Sequence, residues 1–197
     1  MVFGDICGQT KVILMENKLQ NTTQDNSISL GLPCFNEEKN INLVLVNNQS
    51  NHYFNFEDDF IKDLRCIPLC VRRKLDLIGI KLKLTHWQDF NLIEKNKIVD
   101  WPDSKNDLID LKTFLKEITS NSKYGEAKEI EISINQPWQN KNKVPDQVLK
   151  SALARGINIS VEKWRNLNEL DRFAFCKLVR PSHEHNNLDR AFDEILK

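Results

Sequence analysis

The chain has 197 residues, with 28 basic and 28 acidic side chains and a formal net charge of zero. That length fits one domain, or one domain with an appendage. Balanced charge argues against nucleic acid or an anionic membrane as the main partner, since both call for a basic excess.

No apolar run approaches the roughly 20 residues of a membrane-spanning helix, and the N-terminus lacks the apolar core of a secretion signal. A cytoplasmic location is expected. Residues 1–52 are rich in Asn, Gln, Ser and Thr and poor in aromatics. Such a stretch buries too little apolar surface to offset the entropy of ordering. The expectation is a largely flexible N-terminal segment over 1–52 and a single helical domain over 53–197. Met15 is an alternative start, and the apolar run from Ile41 to Val46 reads as a short strand.

From Tyr53 onward, Phe54, Phe56 and Phe60 interleave with Glu57, Asp58 and Asp59. Acids suit a first helical turn, which predicts a short helix from Asp59 to Leu64. Pro68 fits the first position of the next helix, where a missing N–H is harmless. That helix runs to Ile78, with Val71, Leu75 and Ile78 on its buried face and Arg72, Arg73 and Asp76 pointing elsewhere. Gly79 ends it in a left-handed conformation, and Ile80 folds back onto Leu75. An extended connector through Leu82 and Leu84 leads to a helical turn carrying Trp87. Asn91 with Glu94 has the form of an N-cap and its acid.

Asp103 or Ser104 caps a helix to about Ile118 that buries Leu108, Leu111, Phe114, Leu115 and Ile118. Ile130, Ile132 and Ile134 alternate with polar residues and read as one strand. The 41–46 run is its visible partner, so at most one short strand pair is expected. The order seen after Pro68 then returns 77 residues later, after Pro145. It runs helix, Gly156-Ile157, apolar alternation at Ile159 and Val161, Trp164, and Asn168 with Asp171. Pro, Gly, Trp and Asn in one ungapped register read as an internal duplication. A last helix over Asn187 to Lys197 turns Leu188, Ala191, Phe192 and Ile195 inward. The expected fold is mainly α, a compact helical domain built on two related units that start near Pro68 and Pro145.

The five cysteines, Cys7, Cys34, Cys66, Cys70 and Cys176, form an odd set without repeated spacing, which suits reduced thiols. Cys66 and Cys70 lie four apart and read as small buried residues. Metal binding is the weaker alternative, because structural zinc takes four ligands. In the stretch Arg180 to His185, His183, Glu184 and His185 offer imidazole and carboxylate. On a helix, however, residues two apart do not share a face. A loop packed on the body is the main reading, and Arg180 suits the last carbonyls of the preceding helix. Arg72, Arg73 and Lys74 form a basic cluster that fits an acidic partner or a phosphate, or simply a solvated face neutralised by nearby Asp residues. Trp87 and Trp164 read as core, and Trp101 and Trp138, each beside Pro, as surface candidates. The chain has no Gly-rich phosphate loop, dinucleotide fingerprint or nucleophile elbow. An enzyme is the less expected class.

The stretch from Phe54 to Pro68, continued by Val71 to Asp76 and Gly79 to Leu82, resembles the cyanobacterial nitrate reductase-associated protein family. The tail from Lys177 to Glu184, with Asn187 and Ala191, is similar to that family's C-terminal signature. The resemblance implies a non-catalytic accessory of assimilatory nitrate reductase, a molybdenum-cofactor and iron–sulfur enzyme. No catalytic residue is carried over from the family, and no cofactor is expected. The partner-binding set expected at the two ends of the domain is Glu57, Asp59, Arg65, Arg72, Arg73, Lys74, Arg180, His183 and Glu184. The alternative is a protein that handles the molybdenum cofactor or an iron–sulfur cluster through Cys66, Cys70, Arg72, Arg73 and His183, or an electron-transfer subunit. Clusters normally take four cysteine thiolates, and only three cysteines lie inside the family-like region.

Overall fold

Proline and asparagine set where the helices start. The computed structural model of the chain describes residues 51–180 and 187–197. Among them a 3-10 turn at Asn55–Glu57 leads into α1 (Asp58–Ile61), followed by α2 (Leu69–Ile78), β1 (Ile80–Lys81), α3 (Leu84–Asp89) and α4 (Leu92–Asp100). Then come α5 (Lys105–Thr119), β2 (Lys128–Glu129), a 3-10 turn at Pro137–Gln139, α6 (Asp146–Leu153), α7 (Val161–Asn166), α8 (Glu169–Leu178) and α9 (Leu188–Ile195). The fold is mainly helical, as expected. No helix among the described residues is long and apolar enough to cross a membrane.

The caps follow the sequence closely. Asn91 Oδ1 accepts from Glu94 N–H at 2.9 Å while Glu94 Oε2 accepts from Asn91 N–H at 2.8 Å. Asn168 and Asp171 repeat that reciprocal pair ahead of α8. Each pair satisfies backbone donors that a helix start leaves open. Ser104 caps α5 by accepting from Asp107 N–H. Gly79 takes φ 65°, and its N–H donates to Leu75 O. Gly156 takes φ 70°, and Ile157 N–H donates to Ala152 O at 2.9 Å, the long bond of a Schellman turn. The two Pro-started runs therefore share an order: helix, left-handed glycine, short extended stretch, a helix bearing a fully buried Trp, and an Asn-capped helix.

Two apolar clusters fill the interior. The larger gathers Phe54, Phe56, Leu75, Trp87, Ile98 and Phe173 with their neighbours. The smaller gathers Val148, Trp164, Phe175, Leu188 and Phe192. Cys176, Leu178 and Ile195 pack against both. Two buried indoles find an acceptor earlier in the chain: Trp87 Nε1 donates to Leu64 O at 2.8 Å and Trp164 Nε1 to Asn140 O at 2.9 Å, while Trp138 Nε1 is buried without a partner among the described residues. A buried indole N–H usually has such a partner. Leu64 holds a left-handed φ of 47° to present that carbonyl.

Several expectations are corrected. Pro68 is the extended residue before α2 rather than its first helical residue. The first helix stops at Ile61, short of Leu64, because Leu64 leaves the helical region. Ile130, Ile132 and Ile134 do not form the strand. The pair is β1 with β2, antiparallel, in register Ile80 with Glu129 and Lys81 with Lys128. The stretch read as a mere connector after Gly79 thus supplies the partner, and Ile130, Ile132 and Ile134 are exposed. The 41–46 run lies outside the described residues. Trp138 is core, 2% exposed, with its ring edge-on to Phe173 at 5.3 Å. Trp101 is half-buried and donates Nε1–H to Asp107 O at 2.8 Å.

Candidate functional site

The charged residues that stand out in the sequence divide by burial. Lys74 is fully buried, and its Nζ donates to Val99 O and Trp101 O at 2.6 Å each and to Ile98 O at 3.2 Å. These carbonyls belong to the last turn and the C-terminal cap of α4, which have no intrahelical donors. An ammonium with three N–H groups matches three carbonyls, and a cation suits a helix C-terminus. Burial pushes Lys74 down to about 8, so it is still the ammonium at neutral pH. Arg73 is buried one position earlier and bridges α2 to α8 through Glu169 at 2.7 Å and to the loop before α5 through Asp103. Both side chains are internal ties. The expectation that Arg73 faces away from the core, and that Arg73 and Lys74 offer a binding face, is corrected. α2 is surrounded by α4, α5 and α8, so it has little solvated face to offer.

Glu57 is likewise buried, 1% exposed, and its Oε1 accepts from Leu69 N–H at 3.0 Å. It caps α2 from a distant turn, because Pro68 has no side chain that can do so. Its Oε2 has no partner among the described residues. Burial is the main cause that pushes Glu57 up to about 7, against the Leu69 N–H bond and Arg72, which pull it down. Glu57 is thus not the exposed acid that the sequence suggests.

Glu57 does line a cleft of about 340 Å³. Phe56 and Phe60 contribute from the 3-10 turn and α1, and Cys66, Ile67, Leu69 and Arg72 from the entry into α2. Lys177 and Leu178 come from the end of α8, and Asn187 precedes α9. Arg72 is half-buried and donates Nε–H to Ile67 O at 2.8 Å. Lys177 pairs with Asp76 at 2.6 Å. Of the residues singled out from the sequence, the cleft brings together Glu57, Cys66 and Arg72. Asp59 and Arg65 lie beside it on the exposed surface, tied by Arg65 Nη2 to Asp59 O at 2.7 Å and by Arg190 to Asp59 at 2.8 Å. Arg180 lines a different hollow, with Trp138, Pro145 and Val148. His183, Glu184 and His185 lie outside the described residues.

Sequence reasoning missed Phe60, Lys177 and Asn187 as cleft residues. It also missed Glu194, whose carboxylate accepts from Asn55 N–H at 2.9 Å, Asn55 Nδ2 at 3.1 Å and Phe56 N–H at 3.0 Å. Glu194 and Arg190 clasp the 3-10 turn from α9, so the two ends of this domain meet at the cleft. The only advance signal was the resemblance itself, which fell on both ends.

A family model of conserved nitrate reductase-associated proteins matches residues 53–195. The chain belongs to that family. The matched span takes in all nine helices of the described residues, the cleft and the clasp at the domain's ends. No curated protein and no solved structure matches the chain.

Cys70 sits inside α2, and burial pushes its thiol up to about 12. Burial does the same to Cys176. Among the described residues no three His, Cys, Asp or Glu side chains converge.

Proposed function

We propose that this protein is a non-catalytic accessory of assimilatory nitrate reductase that acts in the cytoplasm by protein–protein contact. The observation that carries this reading is the family match across 53–195, since the family is described as conserved nitrate reductase-associated proteins. The geometry supports it. Glu57, Arg73 and Lys74 are engaged in holding the helices together. A cleft with a half-apolar wall, with Arg72 and the Asp76-paired Lys177 on it, is left for a partner.

The test is deletion of the gene, followed by assay of nitrate reductase with an artificial electron donor. The expected result is lower activity at unchanged enzyme abundance. Full activity at normal abundance contradicts the reading.

A cofactor-handling role, holding the molybdenum cofactor or an iron–sulfur cluster, draws less support. Clusters normally take four cysteine thiolates, and three cysteines lie within residues 53–195. The visible spectrum and metal content of the purified full chain separate the readings, because a stoichiometric chromophore or metal favours the cofactor role.

A further inference from the structure

The cleft between the 3-10 turn, the entry to α2 and the end of α8 has three features that together specify an occupant. First, about half of its wall is apolar, through Phe56, Phe60, Ile67, Leu69 and Leu178. At about 340 Å³ it is the size of one large side chain with some flanking backbone, near the lower end of the ligand-pocket range of about 300–1,000 Å³. An inorganic anion would leave that apolar wall uncovered. Second, Arg72 spends one of its five N–H donors on Ile67 O, and Lys177 on the same wall, paired with Asp76 at 2.6 Å, has further ammonium N–H groups beyond that bond. Third, Glu57, buried in the same wall, has one oxygen without a partner among the described residues. Buried polar atoms are normally paired, so an incoming main-chain N–H has an acceptor there.

We propose that this cleft is the docking point for an acidic segment of the partner protein, which inserts one bulky apolar side chain between Phe60 and Leu69 and sets a carboxylate against Arg72 and Lys177. The proposal rests on the accessory reading above and names the surface and the chemistry of the contact. Aromatic or aliphatic anchors in a desolvated pocket, ringed by charge, are how small interfaces concentrate their binding energy.

The experiment uses the full chain, with purified nitrate reductase as the probe. Cys66 lines the cleft, so alkylation followed by peptide mass mapping reports whether it is covered. Cys70 and Cys176 serve as slow internal references. In the isolated chain Cys66 is expected to alkylate much faster than either. Reductase binding is expected to slow it about tenfold, and a bulky maleimide on Cys66, or Arg72→Ala or Lys177→Ala, to weaken binding about tenfold. Lys62→Ala and Lys105→Ala, at exposed positions outside the cleft lining, are expected to leave binding unchanged. The maleimide arm keeps the test open should either cleft variant fail to fold.

Retention of the reductase with Cys66 still reactive, and with modified chains binding as well as wild type, overturns the proposal and leaves the accessory reading standing. Cys66 as slow as Cys70 in the isolated chain also overturns it, since the chain's own residues then fill the cleft. If wild type does not retain the reductase, the accessory contact falls. The cleft is then judged with a fluorescein-labelled pentapeptide of phenylalanine flanked by glutamates, against one flanked by lysines. Binding of the acidic peptide alone, with protection of Cys66, upholds the cleft's specificity, and equal or absent binding overturns it.

Discussion

Helices α2 and α6 both follow a proline and both lead into a left-handed glycine, yet only α2 is enclosed. It packs against α4, α5 and α8 and feeds directly into β1, whereas the main neighbour of α6 is α8. Arg73 and Lys74 on α2 are buried and tie three other elements together. The positions 77 residues later are Lys150, exposed, and Ser151, half-buried. The glycines differ in the same sense. A Cβ on Gly79 would lie 2.5 Å from Ile130 O and 2.7 Å from the Ile132 side chain, while a Cβ on Gly156 would meet nothing within 4 Å. Local punctuation places a left-handed glycine twice, closed by Gly79 N–H on Leu75 O in one case and by Ile157 N–H on Ala152 O in the other, and the neighbours decide what each helix must carry. Where a helix is surrounded, its cations become the donors for orphaned carbonyls of adjacent helix ends.

Breaking the internal ties of α2 should have the largest effect. Arg73→Met leaves Asp103 and Glu169 without their cation, a change that typically costs about 3–5 kcal/mol when a pair is buried. The partial exposure of both acids places the expected loss near the lower end, about 3 kcal/mol. Lys150→Met, its counterpart on α6, should stay within about 0.5 kcal/mol. Urea denaturation of both variants measures the contrast, and equal losses would erase it.

Lys74→Met should follow closely, at about 2–3 kcal/mol, because the carbonyls of Ile98, Val99 and Trp101 lose a shared donor. Hydrogen exchange should show fraying confined first to the end of α4.

The glycines sharpen the comparison further. Gly156→Ala should cost about 1 kcal/mol, the usual strain of a left-handed residue. Gly79→Ala adds a clash with backbone and should cost about 2–3 kcal/mol. Thermal melts of the pair would contradict this account if the order were reversed.

The pH response of Glu57 is of similar size to the glycine effects. Its folded value, about 7, lies above the ordinary carboxyl value of 4.5. The folded state therefore binds the proton more tightly than the unfolded chain, and stability falls as pH rises from about 4.5 through 7. Glu57→Gln keeps an acceptor for Leu69 N–H without a charge to bury. The variant should gain on wild type by about 2 kcal/mol between pH 5 and pH 8. Parallel stability curves for the two proteins would remove the argument.

Much of the fold was legible in the sequence because its signals are local. Asn91, Ser104 and Asn168 capped the predicted helices, Gly79 and Gly156 took the left-handed turn, and Leu111 and Leu115 faced inward as their spacing required. What escaped was tertiary. The alternation of Ile130, Ile132 and Ile134 resembled a strand, but pairing was decided one step earlier, where Gly79 O accepts from Ile130 N–H at 2.8 Å and sets Lys128–Glu129 against Ile80–Lys81. Arg73 and Lys74 looked solvated because helical spacing describes one helix and does not show the three packed around it. The cleft was half legible. Glu57, Cys66 and Arg72 stand within sixteen residues of one another, but Lys177 and Asn187 arrive from the far end of the chain, and no local pattern announces that meeting.

The most direct test of the central claim is co-purification of the full chain with nitrate reductase, tried with the enzyme's apo and holo forms. A docking accessory should retain at least one of the two forms. Retention of neither, in cells whose reductase activity depends on this gene, would contradict a role through direct contact.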